Sequence, residues 1–174
     1  EQQRLRWNRQ DELYFYFDDF ENRVNAELIG KIANLASRGA QMLKSKMDGR
    51  MSELDPESKE LIKNAQFQGQ VISQYFENRE YLKAMQEIRT LAELGNKYFD
   101  ENAPWKTLTS DPVKTKQVLT TTLNLFRIIS IYLKPVIPSF TQKVEKLFNE
   151  NNYSWTDSSK ILTNHEINSY EMLA

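Results

Sequence analysis

Asn34 and Arg38 form the first candidate functional pair, because they lie four residues apart in a segment with helical periodicity. That spacing places two side chains on one face of a helix. Arginine offers a rigid fork of donors and asparagine offers both a donor and an acceptor, and both residue types contact phosphates or base edges in nucleic-acid complexes. A solvated helix face explains the same spacing, and spacing alone favours that interpretation.

Trp105 is the second candidate, in the sequence Ala103-Pro104-Trp105-Lys106 between two predicted helices. Pro104 would fix the direction of the chain just before it. A tryptophan at such a place either packs on the helices or presents its indole ring for stacking. Composition alone favours packing.

No group of residues in the sequence marks a catalytic or metal centre. The chain has one histidine, His165, and no cysteine, which excludes a thiolate metal site, a thiol nucleophile and a multi-histidine centre within it. We expect His165 to be a surface or docking side chain, and Asp18 and Asp19 to cap a helix. A glycine-rich phosphate loop is also absent. The sequence therefore predicts a binding or scaffold module without catalytic residues, metal ligands or a cofactor of its own.

The total charge is close to neutral, with 23 Lys+Arg against 24 Asp+Glu. A nucleic-acid binder usually carries a basic excess, but the sum hides local differences. Residues 30–50 contain five basic side chains and one acid, whereas residues 57–101 contain six basic side chains and eight acids. The positive segment is the one that carries Asn34 and Arg38.

Length and composition indicate one folded domain. A chain of 174 residues with 40% hydrophobic residues can bury a proper core. Its longest apolar runs are far shorter than the ~20 residues that a membrane span needs. The first residues, 1–4, show no charged-then-apolar secretory pattern. We therefore expect a cytoplasmic protein that does not enter a membrane.

The spacing of apolar residues predicts an all-α fold, a bundle of about five long helices with an extended C-terminal tail. Only 5 Gly and 5 Pro interrupt the chain, which favours long helices. The predicted helices span about residues 18–46, 56–76, 79–101, 112–133 and 136–149. Two of them should start at the Asp-Pro pairs 55–56 and 111–112. The fourth is apolar almost all round near its end, and we expect it to be the central helix.

The pattern changes after the fifth helix. We expect the bundle to span residues 18–150 and a tail to cover residues 151–174. The tail begins in a stretch rich in Asn and Ser, with Tyr153 and Trp155 as isolated aromatics that should pack back on the bundle. Residues 166–174 are expected to begin a final helix.

Four ordered motifs resemble the anticodon-binding domain of the methionyl-tRNA synthetase family. They are RVNAE at 23–27, NLASR at 34–38, APW at 103–105 and YLKPVIP at 132–138. The resemblance covers about residues 18–174. Residues 1–17 do not match well and are expected to be a divergent link to a catalytic domain. The family's HIGH and KMSKS signatures are absent, so the chain looks like a fragment of a larger enzyme.

The resemblance implies an α-helical bundle that recognises the CAU anticodon of methionine tRNAs. By position, Trp105 would stack on the first anticodon base, Asn34 and Arg38 would contact anticodon bases, and Pro104 would set the tryptophan. The implied partner is tRNA. ATP, Mg²⁺ and methionine would bind in the catalytic domain of the parent methionine–tRNA ligase. The resemblance leaves open whether that domain also carries zinc and whether a further C-terminal tRNA-binding domain follows.

Two alternatives stay open from the sequence. The chain could be the related helical domain of another class I synthetase, such as the valyl or leucyl enzyme. It could also be a helical protein–protein interaction module that does not bind RNA. The second alternative would explain the near-neutral charge and would use the apolar fourth helix as an interface.

Overall fold

The computed structural model describes residues 27–170. Contacts within the chain divide it into two units, Glu1–Gly30 and Lys31–Ala174. Of the first unit, the structure describes residues 27–30. The predicted link at residues 1–17 and the predicted helix start with its cap near Asp18 and Asp19 lie outside the described residues.

Six α-helices and two 3₁₀ turns form the described part of the chain. The helices are α1 (Gly30–Lys46), α2 (Lys59–Glu77), α3 (Tyr81–Asn102), α4 (Pro104–Thr107), α5 (Pro112–Tyr132) and α6 (Pro138–Leu147), and the 3₁₀ turns are Pro56–Ser58 and Trp155–Ser159. Residues 27–170 contain no strand, and an isolated β-bridge joins Arg50 to Glu166. The predicted all-α class with five long helices is confirmed, and the short α4 is an addition to it.

Both Asp-Pro pairs mark the start of a helix. The side chain of Asp111 accepts a hydrogen bond from the Lys114 amide at 3.1 Å, which satisfies one of the amides left open at the start of α5. The side chain of Asp55 accepts in the same way from the Glu57 amide at 3.2 Å. Here the chain makes a 3₁₀ turn first, and α2 follows it directly.

Helix α5 is the centre of the bundle. It packs against α2, α3, α4, α6 and the second 3₁₀ turn, and every residue from 118 to 133 is buried. Burial of this apolar stretch is a main source of the stability of the fold. The prediction that the fourth long helix is central is confirmed. In the described part of the chain, no helix combines the length and the apolar character that are required to cross a membrane.

The polar side chains of α5 hold other segments of the chain in place. Asn124 donates to the carbonyl oxygen of Leu162 and accepts from its amide, both at 2.8 Å. Thr120 and Thr121 accept hydrogen bonds from the amides of Ser52 and Asp55 at 2.8 and 2.9 Å. Within residues 27–170, every buried side-chain nitrogen and oxygen has a hydrogen-bond partner. The buried helix therefore carries no cost from unpaired polar groups.

Arg127 anchors the C-terminal tail to α5. Its guanidinium is fully buried and forms two bonds to the Glu150 carboxylate, Nε–Oε1 at 2.6 Å and Nη2–Oε2 at 3.2 Å. Nη1 donates to the carbonyl oxygens of Asp157 and Lys160 at 3.2 and 2.8 Å, and the Tyr153 hydroxyl donates to Glu150 at 2.6 Å. Burial raises the pKa of Glu150, but the hydrogen bonds from Arg127 and Tyr153 outweigh it and leave that pKa below its ordinary value.

The tail packs its aromatic side chains on the bundle, as predicted. Tyr153 is buried. The Trp155 ring lies 4.8 Å from the Tyr132 ring and 6.1 Å from the Phe76 ring, centroid to centroid, and its Nε1 donates to the Gly69 carbonyl oxygen at 3.1 Å. The tail is therefore part of the folded bundle.

The end of the described chain is extended where the sequence predicts a helix. The amide and carbonyl groups of Met51 pair with the carbonyl and amide groups of His165 at 2.8 and 3.2 Å. This pairing uses backbone groups in an extended ladder and draws the chain away from a helical path. The prediction of a helix is therefore wrong for residues 166–170, and residues 171–174 lie outside the described part. His165 is a docking side chain, with Nε2 2.5 Å from the Phe148 carbonyl oxygen.

Replacement of Glu150 by Gln should lower the free energy of unfolding by roughly 3–5 kcal/mol, because it leaves the buried Arg127 charge without its carboxylate. Urea denaturation followed by circular dichroism measures this change. The matched control is Glu60→Gln, since the Glu60–Lys63 ion pair is exposed to solvent and should contribute almost nothing. Equal effects of the two substitutions would contradict an anchoring role for Glu150.

Candidate nucleic-acid interface

Helix α1 separates an apolar face from a polar one, as its sequence predicts. The buried side is formed by Ile32, Leu35, Ala36, Gly39, Ala40 and Leu43. The solvent side carries Asn34, Gln41 and Ser45, all exposed, with Lys31 and Arg38 half-buried. Since the buried side fixes the rotation of the helix, Asn34 and Arg38 both point away from the core.

Asn34 is oriented by a hydrogen bond to helix α3. Its Nδ2 donates to Oδ1 of Asn96 at 3.1 Å. Asn96 is held in turn by bonds from its own Nδ2 to the carbonyl oxygens of Lys31 and Ala92 at 3.2 and 3.1 Å. Within the described residues no donor reaches the carboxamide oxygen of Asn34, so this oxygen can accept a hydrogen bond from a ligand.

Arg38 is oriented by two neighbours on α3. Its Nη1 lies 2.7 Å from Oδ1 of Asp100, and its Cζ lies 5.1 Å from the centroid of the Phe99 ring. The Nε and Nη2 groups have no protein acceptor in residues 27–170. A partly exposed ion pair of this kind contributes little to stability, so its main effect is to hold the guanidinium plane with donors to spare.

Trp105 lies in α4, and a sharp change of chain direction places it there. Ala103 adopts the left-handed conformation (φ 43°, ψ 59°) that ends α3 and starts α4, and the buried Pro104 is the first residue of α4. The Trp105 ring lies 5.8 Å from the Phe99 ring at an angle of 37°, and the residue is 48% exposed. The indole therefore packs on Phe99 and is also partly open to solvent, so the packing predicted from composition is found and the exposed part of the ring is accessible to a ligand.

Arg38, Phe99 and Trp105 line one open groove with a volume of about 520 Å³. The other lining residues are Ser37, Gln41, Met42, Ser45 and Lys46. Asn34 lies outside this lining, about one helical turn before Arg38 on the same face of α1. The structure thus brings two of the predicted residues into one cavity, with Asn34 next to it and the buried Pro104 in support. The groove offers an aromatic plane beside cationic donors, which suits a planar, polar ligand such as a nucleobase.

Asn96, Phe99 and Asp100 also belong to this site, and none of them is among the site residues predicted from the sequence. Phe99 and Asp100 follow Asn96 by three and four residues near the end of one helix. Residues with this spacing share a helix face, so the sequence does indicate that the three side chains lie close together. Nothing in the sequence says that this face meets Asn34 and Arg38.

The two helix ends that flank Trp105 meet at the buried carboxylate of Asp55. It accepts hydrogen bonds from Nζ of Lys114 at 2.6 Å and from the hydroxyl groups of Tyr98 and Ser58 at 3.0 Å each. Burial raises the pKa of Asp55, but these bonds outweigh it and hold that pKa below its ordinary value. Tyr98 belongs to α3 and Lys114 to α5, so Asp55 ties together the helices before and after α4.

Residues 49–168 of this chain match a family model that is described as the anticodon binding domain of methionyl tRNA ligase. The chain belongs to this family. The methionine–tRNA ligase of Bdellovibrio bacteriovorus is 58% identical over 164 residues, which are 94% of this chain and 24% of that protein. The ligase of Methylibium petroleiphilum is 37% identical over 168 residues, 95% of this chain and 24% of that protein. The chain thus spans about a quarter of the length of these relatives.

The solved structures support the same fold. The free methionyl-tRNA synthetase of Mycobacterium tuberculosis aligns with a TM-score of 0.77 at 20% identity, over 87% of this chain and 32% of that one. The same enzyme in complex with methionyl-adenylate aligns with a TM-score of 0.77 at 20% identity, over 90% of this chain and 33% of that one. At this identity the likeness shows that the helical bundle of the family is shared.

The contribution of Asp55 to stability should depend on pH in the acidic range. Its folded pKa lies below the ordinary value of about 3.9, so the charged form stabilises the fold above about pH 4, and this contribution is lost as the pH falls through the folded pKa. The loss of stability in Asp55→Asn should therefore be largest at neutral pH and shrink below about pH 4. Urea unfolding of both proteins across a pH series measures it.

The control for this series is Glu101→Gln, whose ion pair with Lys97 is exposed and long, at 3.8 Å. That variant should follow the wild-type curve throughout. If the free energies of unfolding of Asp55→Asn and of the wild type differed by the same amount down to about pH 2, the charge of Asp55 would not stabilise the fold.

Proposed function

We propose that this chain recognises the CAU anticodon of methionine tRNAs, with Trp105, Arg38 and Asn34 contacting the bases. The observation that carries the proposal is the groove in which the half-exposed Trp105 and the oriented Arg38 face the same space. RNA is read by sequence mainly in single-stranded loops, whose bases can be turned out onto aromatic or guanidinium planes. An anticodon lies in such a loop.

Trp105 supplies the stacking plane. Phe99 supports the indole from one side, and the exposed fraction of the residue is large enough for a base to lie on it. The left-handed Ala103 and the buried Pro104 fix where the ring stands. In the proposed complex the first anticodon base, a cytosine, stacks here. Stacking on an aromatic side chain is worth about 1–3 kcal/mol per base.

Arg38 and Asn34 supply selectivity among bases. Each is held by a partner on α3, Asp100 or Asn96, and keeps hydrogen-bonding groups to spare. A base with the wrong edge would leave these oriented groups unpaired, and such mismatches are strongly rejected. Pre-set side chains also lower the entropy lost on binding.

The parent protein is proposed to be a cytoplasmic methionine–tRNA ligase in which this domain positions the tRNA. Methionine and ATP with Mg²⁺ would bind in the catalytic part that its relatives carry beyond the aligned quarter. The enzyme from Mycobacterium tuberculosis is described in complex with methionyl-adenylate, the mixed anhydride that methionine and ATP form with release of pyrophosphate.

No observation favours the alternative of a protein–protein module. That alternative used the apolar fourth helix as an interface, but residues 118–132 of α5 are buried within the chain itself. Exposed large hydrophobic side chains in residues 27–170 include Phe67, Leu82 and Val113, which lie on three different helices. Scattered side chains of this kind are ordinary on protein surfaces.

The direct test is a titration of the chain with CAU and scrambled anticodon stem-loops at two salt concentrations. We expect tighter binding of the CAU loop and a loss of affinity with salt, because neutralised phosphates release counterions. Fluorescence anisotropy of labelled stem-loops gives both quantities. Equal affinity for the two loops, or affinity independent of salt, would overturn the proposed function.

Trp105→Ala should weaken binding of the CAU stem-loop by roughly 5- to 150-fold, the equivalent of one lost stacking interaction. A loop with a changed first base should lose much less affinity for the variant, because edge contacts do not hold its first base on the indole. The matched control is Phe67→Ala, which removes another exposed aromatic ring that does not line the groove. An equal loss for both loops would remove Trp105 from the recognition of the first base.

A further inference from the structure

The groove extends past the residues that the proposed function uses. Arg38, Phe99 and Trp105 line it, and the C-terminal part of α1 also contributes Met42, Ser45 and Lys46 to its lining. Lys46 follows Arg38 by eight residues, or about 12 Å along the helix axis. Since a base is covalently joined to the phosphates on either side of it, a ligand long enough to place one base on Trp105 also brings its backbone along this wall.

Lys46 is a cation without a carboxylate partner in the described part of the chain. Three other cations in or near the positive segment are paired: Arg38 with Asp100 at 2.7 Å, Lys31 with Glu93 at 3.3 Å and Lys116 with Asp48 at 2.6 Å. Lys44 and Arg50 have no ion pair within residues 27–170, but neither lines the groove. The neighbouring hydroxyl of Ser45 is already bonded to the Gln41 carbonyl oxygen at 2.5 Å. The charge of Lys46 is therefore available to an anion in the groove.

We propose that Lys46 contacts the sugar–phosphate backbone of the nucleotide next to the base on Trp105. This inference rests on the proposed function and names how the same groove holds the backbone of the RNA. An ammonium group is a compact point charge that suits a phosphate and cannot accept a hydrogen bond from a base edge. Contacts of this type position a nucleic acid without reading its sequence.

Lys44 provides a matched control on the same turn of α1. Both lysines lie in the last turn of the helix, where a positive charge offsets the partial negative charge of the last carbonyl groups. The side chain of Lys44 runs over Gly49, where a Cβ atom would lie 2.8 Å from its Cδ and 3.2 Å from its Nζ, and it does not line the groove. The two residues thus share charge and helix position and differ in access to the groove.

The experiment compares Lys46→Ala and Lys44→Ala in binding to the CAU stem-loop and to a loop with a changed first base. Affinities are measured by anisotropy between about 50 and 200 mM salt. Lys46→Ala should weaken the binding of both loops by the same factor. It should also reduce the slope of log affinity against log salt by about 0.7, the value for one phosphate of a single strand. Lys44→Ala should leave the slope at the wild-type value, and Lys46→Arg should restore it.

Three outcomes would overturn the proposal. An unchanged slope in Lys46→Ala, or an equal change in both alanine variants, would assign Lys46 to helix-end electrostatics or to the general field of the surface. If Lys46→Ala lost affinity for the CAU loop alone, Lys46 would be a residue that reads a base. Thermal unfolding monitored by circular dichroism shows whether both variants remain folded. Failure of the proposed function is read separately, from equal binding of the two loops by the wild-type chain.

Discussion

The buried ion pair between Arg127 and Glu150 is the contact on which the arrangement of the bundle depends. It joins the middle of α5, the helix against which four others pack, to the tail that follows α6. A charge in the core is costly unless it is paired and fully hydrogen-bonded, and the Arg127 guanidinium meets that condition through Glu150 and the carbonyl oxygens of Asp157 and Lys160. The tail has one position in which all these bonds form, so it closes over the bundle in a defined way.

The same central helix positions the candidate site. Lys114 in its first turn and Tyr98 near the end of α3 both bind the carboxylate of Asp55, so the two helices that flank α4 are fixed to each other. Trp105 then rests on Phe99, which also supports Arg38. The binding residues stand on or between long helices, and their partners hold them before a ligand arrives. A site built in this way loses little entropy on binding.

The local pairing of charges says more about the electrostatics of the binding surface than the net charge of the chain does. Two cations of the positive segment are paired with carboxylates of α3, in Lys31–Glu93 and Arg38–Asp100, and Asp48 in the loop after α1 pairs with Lys116 of α5. The groove itself holds a cation, Lys46, a stacking surface and oriented donors. A protein that binds one loop of an RNA needs such a patch and has no need of a basic surface as a whole.

The sequence by itself determined the five long helices, the central position of α5 and the identity of the motif residues, because periodicity and helix caps act over a few neighbouring residues. Only the tertiary structure decided that Asn34 meets Asn96 and that Arg38 meets Asp100, each pair 62 positions apart. It also placed Phe99 between Arg38 and Trp105, and drew residues 165–167 into extended pairing with residues 49–51. Such contacts depend on how the helices pack and where the chain returns, which local propensity does not encode.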